Sequence, residues 1–217
     1  MGLINNLIDF VLHLDKHLSL IIQNFGVWTY LLLFLIIFAE TGIVVTPFLP
    51  GDSLLFAVGT FSALGSLDVV WSFFVLSIAA IIGDSLNYSV GKFLGPKVFK
   101  YKNSKIFKKK YLDKTHNFYE KYGAKTIVLA RFVPVVRTFA PFVAGVGKMN
   151  YLKFLTYNVV GGVLWVALFV FVGYFFGNIP IVKKNFTIVI LIIIFLSFLP
   201  GIIEFWRHYR QKKLKIN

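Results

Sequence analysis

Four charged residues stand inside long apolar segments of this chain. Two are acidic, Glu40 and Asp52, and two are basic, Arg131 and Arg137. A charged side chain at the centre of a bilayer costs about 2.5–3.5 kcal/mol on insertion scales, so it is retained where it faces a cavity, a partner or a substrate path. Arginine presents a planar fork that fits phosphate or carboxylate. These residue types predict a polar cavity in which the arginines bind an anion and a carboxylate exchanges protons.

A structural role is the competing interpretation of the same residues. The arginines could pair with Glu40 and Asp52 and hold two segments together, although desolvation offsets much of the attraction in a buried ion pair. Asp52 follows a Pro-Gly pair, so its carboxylate could also cap the next helix. Asp84 is a further candidate of lower rank, because it could be a third carboxylate of the cavity or a hydrated helix end.

The other residue types narrow the chemistry. Cysteine is absent, which excludes disulfides, thiolate nucleophiles and cysteine metal sites. The four histidines lie in polar or interfacial stretches, without metal-ligand spacing to a partner in an apolar segment. The glycine loop that cradles nucleotide phosphates is missing as well. We therefore expect no metal, no cofactor and no enzymatic activity.

The composition indicates a membrane protein. Of 217 residues, 58% are hydrophobic and 15% are charged, whereas a soluble domain has roughly 25% charged residues. The net charge of +14 is concentrated, because eleven of the 23 lysines and arginines lie between Lys92 and Lys125 and five more follow Trp206. Basic runs beside apolar segments are typical of cytoplasmic loops and favour contact with anionic lipids. We therefore expect no nucleic-acid partner.

Prolines interrupt two of the apolar segments. Pro47 and Pro50 break the first and Pro134 and Pro141 break the second, because proline lacks an amide donor and clashes with the preceding turn. Irregular backbone at membrane depth is tolerated only where protein covers it or where it lines a water-filled cavity. The charged residues and the breaks therefore belong to the same predicted cavity.

The two basic clusters constrain the topology. Both should face the cytoplasm, so an even number of crossings must separate them. Three apolar segments lie between them, at 126–147, 149–176 and 185–206. Parity is restored if the proline-containing segment 126–147 is a re-entrant hairpin. The same logic predicts a re-entrant hairpin at 40–64.

The predicted fold is an all-α polytopic membrane protein with about four transmembrane helices, forming a single membrane domain over residues 1–217. The two halves resemble each other weakly, since a small-residue stretch follows each broken segment, and paired interrupted segments point to a transporter site at a repeat interface. In chain order we expect an amphipathic interfacial helix at 3–22, a first half at 25–91, a basic cytoplasmic helical segment at 92–125 closed by Gly123, a second half at 126–177, a final transmembrane helix at 185–206 and a basic cytoplasmic tail at 207–217.

Three motifs in order resemble the DedA family, the bacterial branch of the VTT-domain or SNARE-associated membrane proteins. They are the runs from Glu40 to Leu55, from Tyr122 to Met149, and Tyr157-Asn158, and the resemblance covers about residues 25–177. It implies two re-entrant hairpins that face each other in an inverted repeat. It also implies lipid translocation that depends on an acidic pair, Glu40 and Asp52, and an arginine pair, Arg131 and Arg137. Asn158, in the third motif, joins Asp84 among the lower-ranked site residues.

The leading hypothesis is a flippase for a lipid that carries phosphate, with undecaprenyl phosphate as the first substrate, in the cytoplasmic membrane. Arg131 and Arg137 would hold the head group, while Glu40 and Asp52 would couple movement to protons. A flippase or scramblase for phosphatidylethanolamine is the alternative. A proton or cation antiporter, a lipid phosphatase and a structural or insertion-assisting protein are weaker ones. The sequence leaves open the lipid, the direction of transport, the coupling carboxylate and whether the chain forms a homo-oligomer.

Overall fold

A computed structural model describes residues 24–43, 51–100, 123, 125–177, 179–185, 188–189 and 191–193. Within these ranges every regular element is helical, which confirms the all-α prediction. The helices are α1 (Trp28–Gly42), α2 (Gly51–Ala63), α3 (Val69–Lys100), α4 (Lys125–Ala130), α5 (Pro134–Val146), α6 (Tyr151–Phe176) and α7 (Pro180–Lys184).

Among the residues that the structure describes, two helices are long and apolar enough to cross a bilayer. The qualifying stretches are Val69–Gly95 of α3 and all of α6, with 27 and 26 residues. At 1.5 Å per residue each reaches about 40 Å, which exceeds the hydrocarbon thickness of about 30 Å. Asp68 caps α3, since its carboxylate accepts a hydrogen bond of 2.8 Å from the amide of Trp71. The apolar segment predicted at 149–176 is thus a single helix of sufficient length to span, Tyr151–Phe176.

The broken segments contain shorter helices. α2 and α5 have 13 residues each, or about 20 Å, and α4 has six residues. A turn at residues 131–133 separates α4 from α5, which begins at Pro134, where a missing amide hydrogen costs little. The predicted break at Pro134 is confirmed, whereas the break predicted at Pro141 is wrong, because α5 continues through this residue to Val146. Re-entrant folding of 40–64 and 126–147 stays a prediction.

Several boundaries lie elsewhere than expected, and others cannot be compared. The first spanning helix continues through Gly95 to Lys100, well into the segment expected at 92–125. Gly123 has the positive φ of 68° that a glycine helix cap adopts, while the helix expected before it lies outside the described residues. The predicted helix at 3–22, most of the final helix at 185–206 and the tail at 207–217 also lie outside them.

The helices divide between two compact units. The first unit comprises Met1–Ile36, Pro50–Leu76 and Val166–Phe195. In it α2 and the end of α6 pack backbone against backbone through glycine. A Cβ atom on Gly59 would fall on the carbonyl of Val170, and one on Gly173 would fall on the carbonyl of Phe56. The hydroxyl of Thr60 donates a hydrogen bond of 3.2 Å to the carbonyl of Gly173, which ties the two helices at this crossing.

The second unit comprises Ile37–Leu49, Ser77–Trp165 and Leu196–Asn217. Here α5 and α3 make the same kind of close crossing, because a Cβ atom on Gly91 would fall on the carbonyl of Phe142 and one on Gly145 on that of Tyr88. The ring of Tyr88 stacks on Phe154 with centroids 4.5 Å apart. In the second unit α3 therefore packs against both α5 and α6, and it carries the buried Asp84.

Candidate functional site

The candidate site is a set of buried polar side chains in the second unit. They come from the end of α1, the middle of α3, the turn between α4 and α5, the start of α5 and the middle of α6. The set comprises Glu40, Asp84, Asn87, Arg131, Arg137, Asn158 and Trp165.

Small residues bring the end of α1 onto α3. A Cβ atom on Gly42 would lie 3.4 Å from the Cα of Gly83, and one on Gly83 would collide with the hydroxyl of Thr41. That hydroxyl is turned back along its own helix and donates to the carbonyl of Ile37 at 2.9 Å. The close approach buries Glu40, one residue before Thr41, to 1% exposure.

Glu40 and Arg137 form the first of two ion pairs. The Nη2 of Arg137 donates to Oε1 of Glu40, and the guanidinium carbon lies 4.7 Å from the centre of the Trp165 ring. Arg137 is in the first turn of α5, where its backbone amide donates to the carbonyl of Val133 at 2.9 Å. An arginine between a carboxylate and an aromatic face is fixed in orientation by both contacts. Its side chain remains 9% exposed.

Arg131 forms the second ion pair, with Asp84 of α3. Its Nη2 donates to Oδ2 of Asp84 and to Oδ1 of Asn158. The amide nitrogen of Asn158 donates in turn to the carbonyl of Ile81 at 2.9 Å. Arg131 and Asp84 are each 4% exposed and Asn158 is fully buried. The pair therefore ties α3, the turn before α5 and α6 together.

Glycines make room for the Arg131 side chain. A Cβ atom on Gly161 would lie 3.0 Å from the Cδ of Arg131, and one on Gly162 would lie 3.3 Å from its Nη1. Asn158, Gly161, Gly162 and Trp165 recur at helical spacing, so they share one face of α6. Both arginines therefore lie against the same face of this helix.

Asn87 connects the two members of the Glu40–Arg137 pair through the backbone. Its amide nitrogen donates to the carbonyl of Thr41 at 3.2 Å and to the carbonyl of Thr138 at 2.8 Å. Thr41 follows Glu40 and Thr138 follows Arg137 directly in the chain. Asn87 is fully buried and lies three residues after Asp84, on the same side of α3. One turn of α3 thus holds both ion pairs in register.

Most of the residues singled out from the sequence meet in this unit. Glu40, Arg131, Arg137, Asp84 and Asn158 lie in it, and Asp84 is the carboxylate that pairs with Arg131. Asp52 belongs to the first unit, in the first turn of α2, where its charge faces the positive end of the helix dipole. The helix begins one residue earlier, at Gly51, so Asp52 is inside the first turn.

Two contributors were not anticipated as site residues. Asn87 could have been predicted from the sequence, because a polar amide in an apolar span, one helical turn from an acidic residue, requires a hydrogen-bond partner as the acid does. Trp165 could not, since an aromatic residue in an apolar helix is ordinary core or lipid-facing material. Among the described residues no three histidine, cysteine or acidic side chains are grouped as a metal site requires.

Similarity to known proteins agrees with the motifs. The VTT domain matches residues 49–175. Protein DedA of Escherichia coli strain K12 is 58% identical over 212 residues, 97% of each chain. An uncharacterised membrane protein of Mycobacterium leprae is 43% identical over 177 residues, 82% of this chain and 79% of its own. Inner membrane protein YqjA of Escherichia coli strain K12 is 33% identical over 155 residues, 71% and 70%. No solved structure matches.

Proposed function

The chain belongs to the DedA family of VTT-domain membrane proteins, and from this premise we propose that it translocates a phosphate-bearing lipid across the cytoplasmic membrane. The first candidate substrate is undecaprenyl phosphate and the alternative is phosphatidylethanolamine. The protein is multi-pass in this proposal, with the basic segment 92–125 and the C-terminal tail in the cytoplasm. It acts on the position of the lipid and breaks no bond.

The single observation that carries the proposal is the Glu40–Arg137 pair on Trp165. The arginine is a ready anion ligand, because a guanidinium presents two parallel donors to a phosphate. It is held against a carboxylate that is 1% exposed, and a buried carboxylate is costly to keep charged once its cation turns to another anion. Phosphate binding to Arg137 would therefore favour protonation of Glu40, and release of the lipid would favour loss of that proton.

This exchange supplies a route for proton coupling in the proposal. The head group enters the polar site while the hydrocarbon tail stays in the lipid. Glu40 is protonated when the lipid is bound and deprotonated when the site is empty. Two expectations from the sequence stay predictions: that Arg131 also binds the head group, and that Asp52 also takes part in proton coupling.

A repeated architecture also forms part of the proposal. The glycine crossing of α2 with α6 in the first unit recurs as the crossing of α5 with α3 in the second, with Phe142 and Gly145 in the places of Phe56 and Gly59. Such a recurrence is what two related halves predict, and it supports the inverted repeat expected for transporters.

The test is translocation in proteoliposomes. Labelled undecaprenyl phosphate and labelled phosphatidylethanolamine are followed in parallel, with and without an imposed pH gradient. We expect transport of the phosphate-bearing isoprenoid, acceleration by the gradient, and a loss of about tenfold or more in Arg137→Gln, since a charged hydrogen bond contributes about 1.5–3 kcal/mol. The matched control is Lys153→Gln, which removes an exposed basic residue of α6.

The alternatives give different results in the same vesicles. Movement of phosphatidylethanolamine alone would show that it is the substrate instead of undecaprenyl phosphate, and the protein would still be a lipid transporter. Ion flux without lipid movement would indicate an antiporter, and release of inorganic phosphate would indicate a phosphatase. Absence of movement of either lipid, in protein that retains its fold, would contradict the proposal.

A further inference from the structure

We infer that Arg131 and Asp84 form a fixed positioning pair and that Arg137 alone is the arginine that contacts the head group. The inference deepens the proposed function and rests on it for the nature of the ligand. It gives Arg131 a different role from the one expected from the sequence, where the two arginines looked equivalent because they lie six residues apart in one motif.

The first argument is the environment of the Arg131 guanidinium. It donates to Asp84 and to Asn158. It also packs against Gly161 and Gly162 of α6, since a Cβ atom added to Gly161 would lie 3.0 Å from its Cδ and one added to Gly162 would lie 3.3 Å from its Nη1. A phosphate that engaged Nη2 would have to break the contact with Asn158 or Asp84, and the asparagine is itself bonded to the carbonyl of Ile81. The Nε of Arg131 is buried against Gly161 of α6, where a Cβ atom would lie 3.3 Å from it, so close packing covers this donor. Displacement would leave several buried polar groups without partners, which is unfavourable.

The second argument is the place of Arg131 in the chain. It is the first residue of the turn between α4 and α5, and its amide donates to the carbonyl of Val128 at 3.3 Å. Val133 ends that turn, and its carbonyl accepts the amide hydrogen of Arg137. An anchor on Arg131 therefore fixes where α5 begins and so where the Arg137 side chain starts. Asn87 holds the following residue, Thr138, from the same turn of α3 that carries Asp84.

The third argument is the contrast with Arg137. Its side chain is 9% exposed against 4% for Arg131, and it rests on the flat face of Trp165, where a planar group can stay seated while its in-plane donors turn to a new anion. Arg131 instead contacts Asp84 of α3 and Asn158 of α6, and both partners are buried. One guanidinium is placed to exchange partners and the other to keep them.

The experiment compares two neutralised ion pairs. The first set is Arg131→Gln, Asp84→Asn and the double variant; the matched set is Arg137→Gln, Glu40→Gln and their double. Thermal unfolding midpoints in detergent report folding, and labelled undecaprenyl phosphate in proteoliposomes reports transport. A buried charge left without its partner is strongly destabilising, whereas removing both charges is close to neutral.

We expect each single variant of the Arg131–Asp84 pair to lower the midpoint and to slow transport about tenfold or more, and the double variant to regain the midpoint and at least about half the transport rate. The Arg137–Glu40 double variant should regain its midpoint and stay at background transport. An Arg131–Asp84 double variant that is stable but inactive would show that Arg131 is a ligand, and would overturn the inference while leaving the proposed function intact.

A spectroscopic readout tests positioning without any transport assay. In a chain with Trp28, Trp71 and Trp206 changed to phenylalanine, the emission of Trp165 reports whether the Arg137 guanidinium lies over its ring. Well below the unfolding midpoint, Arg131→Gln should shift this emission in the same direction as Arg137→Gln, and the Arg131–Asp84 double variant should restore it. Unchanged emission in Arg131→Gln would contradict a positioning role. If the wild-type protein moves no lipid, the proposed function fails, and this measurement still decides whether Arg131 positions Arg137.

Discussion

Asn87 shows how a single neutral side chain on one turn of α3 can position a neighbouring ion pair. The side-chain amide of Asn87 donates to the carbonyls of Thr41 and Thr138, which directly follow Glu40 and Arg137 in the chain. A neutral residue with two buried hydrogen bonds therefore helps to fix the geometry of the ion pair. Backbone carbonyls are suitable for this role because they move only when their helices move.

Replacing Asn87 tests that role. We predict that Asn87→Leu lowers the free energy of unfolding by about 1–3 kcal/mol, because two buried carbonyls lose a donor. Asn87→Asp should cost at least as much, since a carboxylate has no hydrogen to donate to a carbonyl. The measurement is thermal unfolding in detergent, and the control is Ser89→Ala, an exposed polar residue of the same helix that bonds its own helix at Ser85. An Asn87→Leu midpoint equal to that of Ser89→Ala would show that the bridge contributes nothing.

At the scale of helices, close packing depends on glycine at a few crossings. A methyl group on Gly91 would overlap the carbonyl of Phe142, and backbone cannot move aside as a flexible side chain can. The crossing also fixes the axial position of α5 along α3, and so the position of Arg137 relative to Asn87. Small residues at such crossings let apolar helices associate in a lipid environment, where the hydrophobic effect between them is absent.

Gly91→Ala should therefore weaken the second unit. We predict a loss of about 1–3 kcal/mol in the free energy of unfolding from overpacking, with transport reduced because α5 shifts on α3. Ser89→Ala is the control, because it places an alanine at an exposed position of the same helix. Equal unfolding midpoints for the two alanine variants would refute the account of this crossing.

Local chemistry explains which elements could be anticipated. The break before Pro134 follows from proline alone, and the span at Tyr151–Phe176 follows from an unbroken apolar run. The extension of α3 to Lys100 did not follow, because Gly95, a proline and the first lysines all suggested an earlier end. Pairing between distant side chains was harder still. Two carboxylates and two arginines could be listed, but the choice of Asp84 for Arg131 depends on which face of α3 packs inward.

For the whole molecule, the distribution of basic residues predicts the orientation in the membrane. The segment 92–125 and the tail after Trp206 carry 16 of the 23 lysines and arginines, and both should remain in the cytoplasm. The orientation then depends on whether 126–147 returns to the side it entered from. If it does, α6 starts in the cytoplasm; if it crosses, α6 starts on the opposite side.

Cysteine labelling can separate these two topologies, because the chain has no cysteine of its own. Three single variants are treated with a membrane-impermeant maleimide in intact spheroplasts and after lysis: Ser66→Cys before α3, Ser104→Cys in the basic segment and Asn150→Cys before α6. Ser66 and Asn150 are exposed. We predict labelling of Ser66→Cys in intact spheroplasts, because α3 leads from there to the cytoplasmic basic segment, and labelling of Ser104→Cys only after lysis.

Asn150→Cys is the decisive position. A re-entrant 126–147 leaves it on the cytoplasmic side, so it should behave like Ser104→Cys and react only after lysis. Reaction in intact spheroplasts would show instead that 126–147 crosses the membrane, which would place Arg131 and Arg137 on a spanning segment. The ion pairs would stand in that case, since they rest on contacts within one unit, but the route of the head group to Arg137 would have to run along a crossing helix and not into a hairpin.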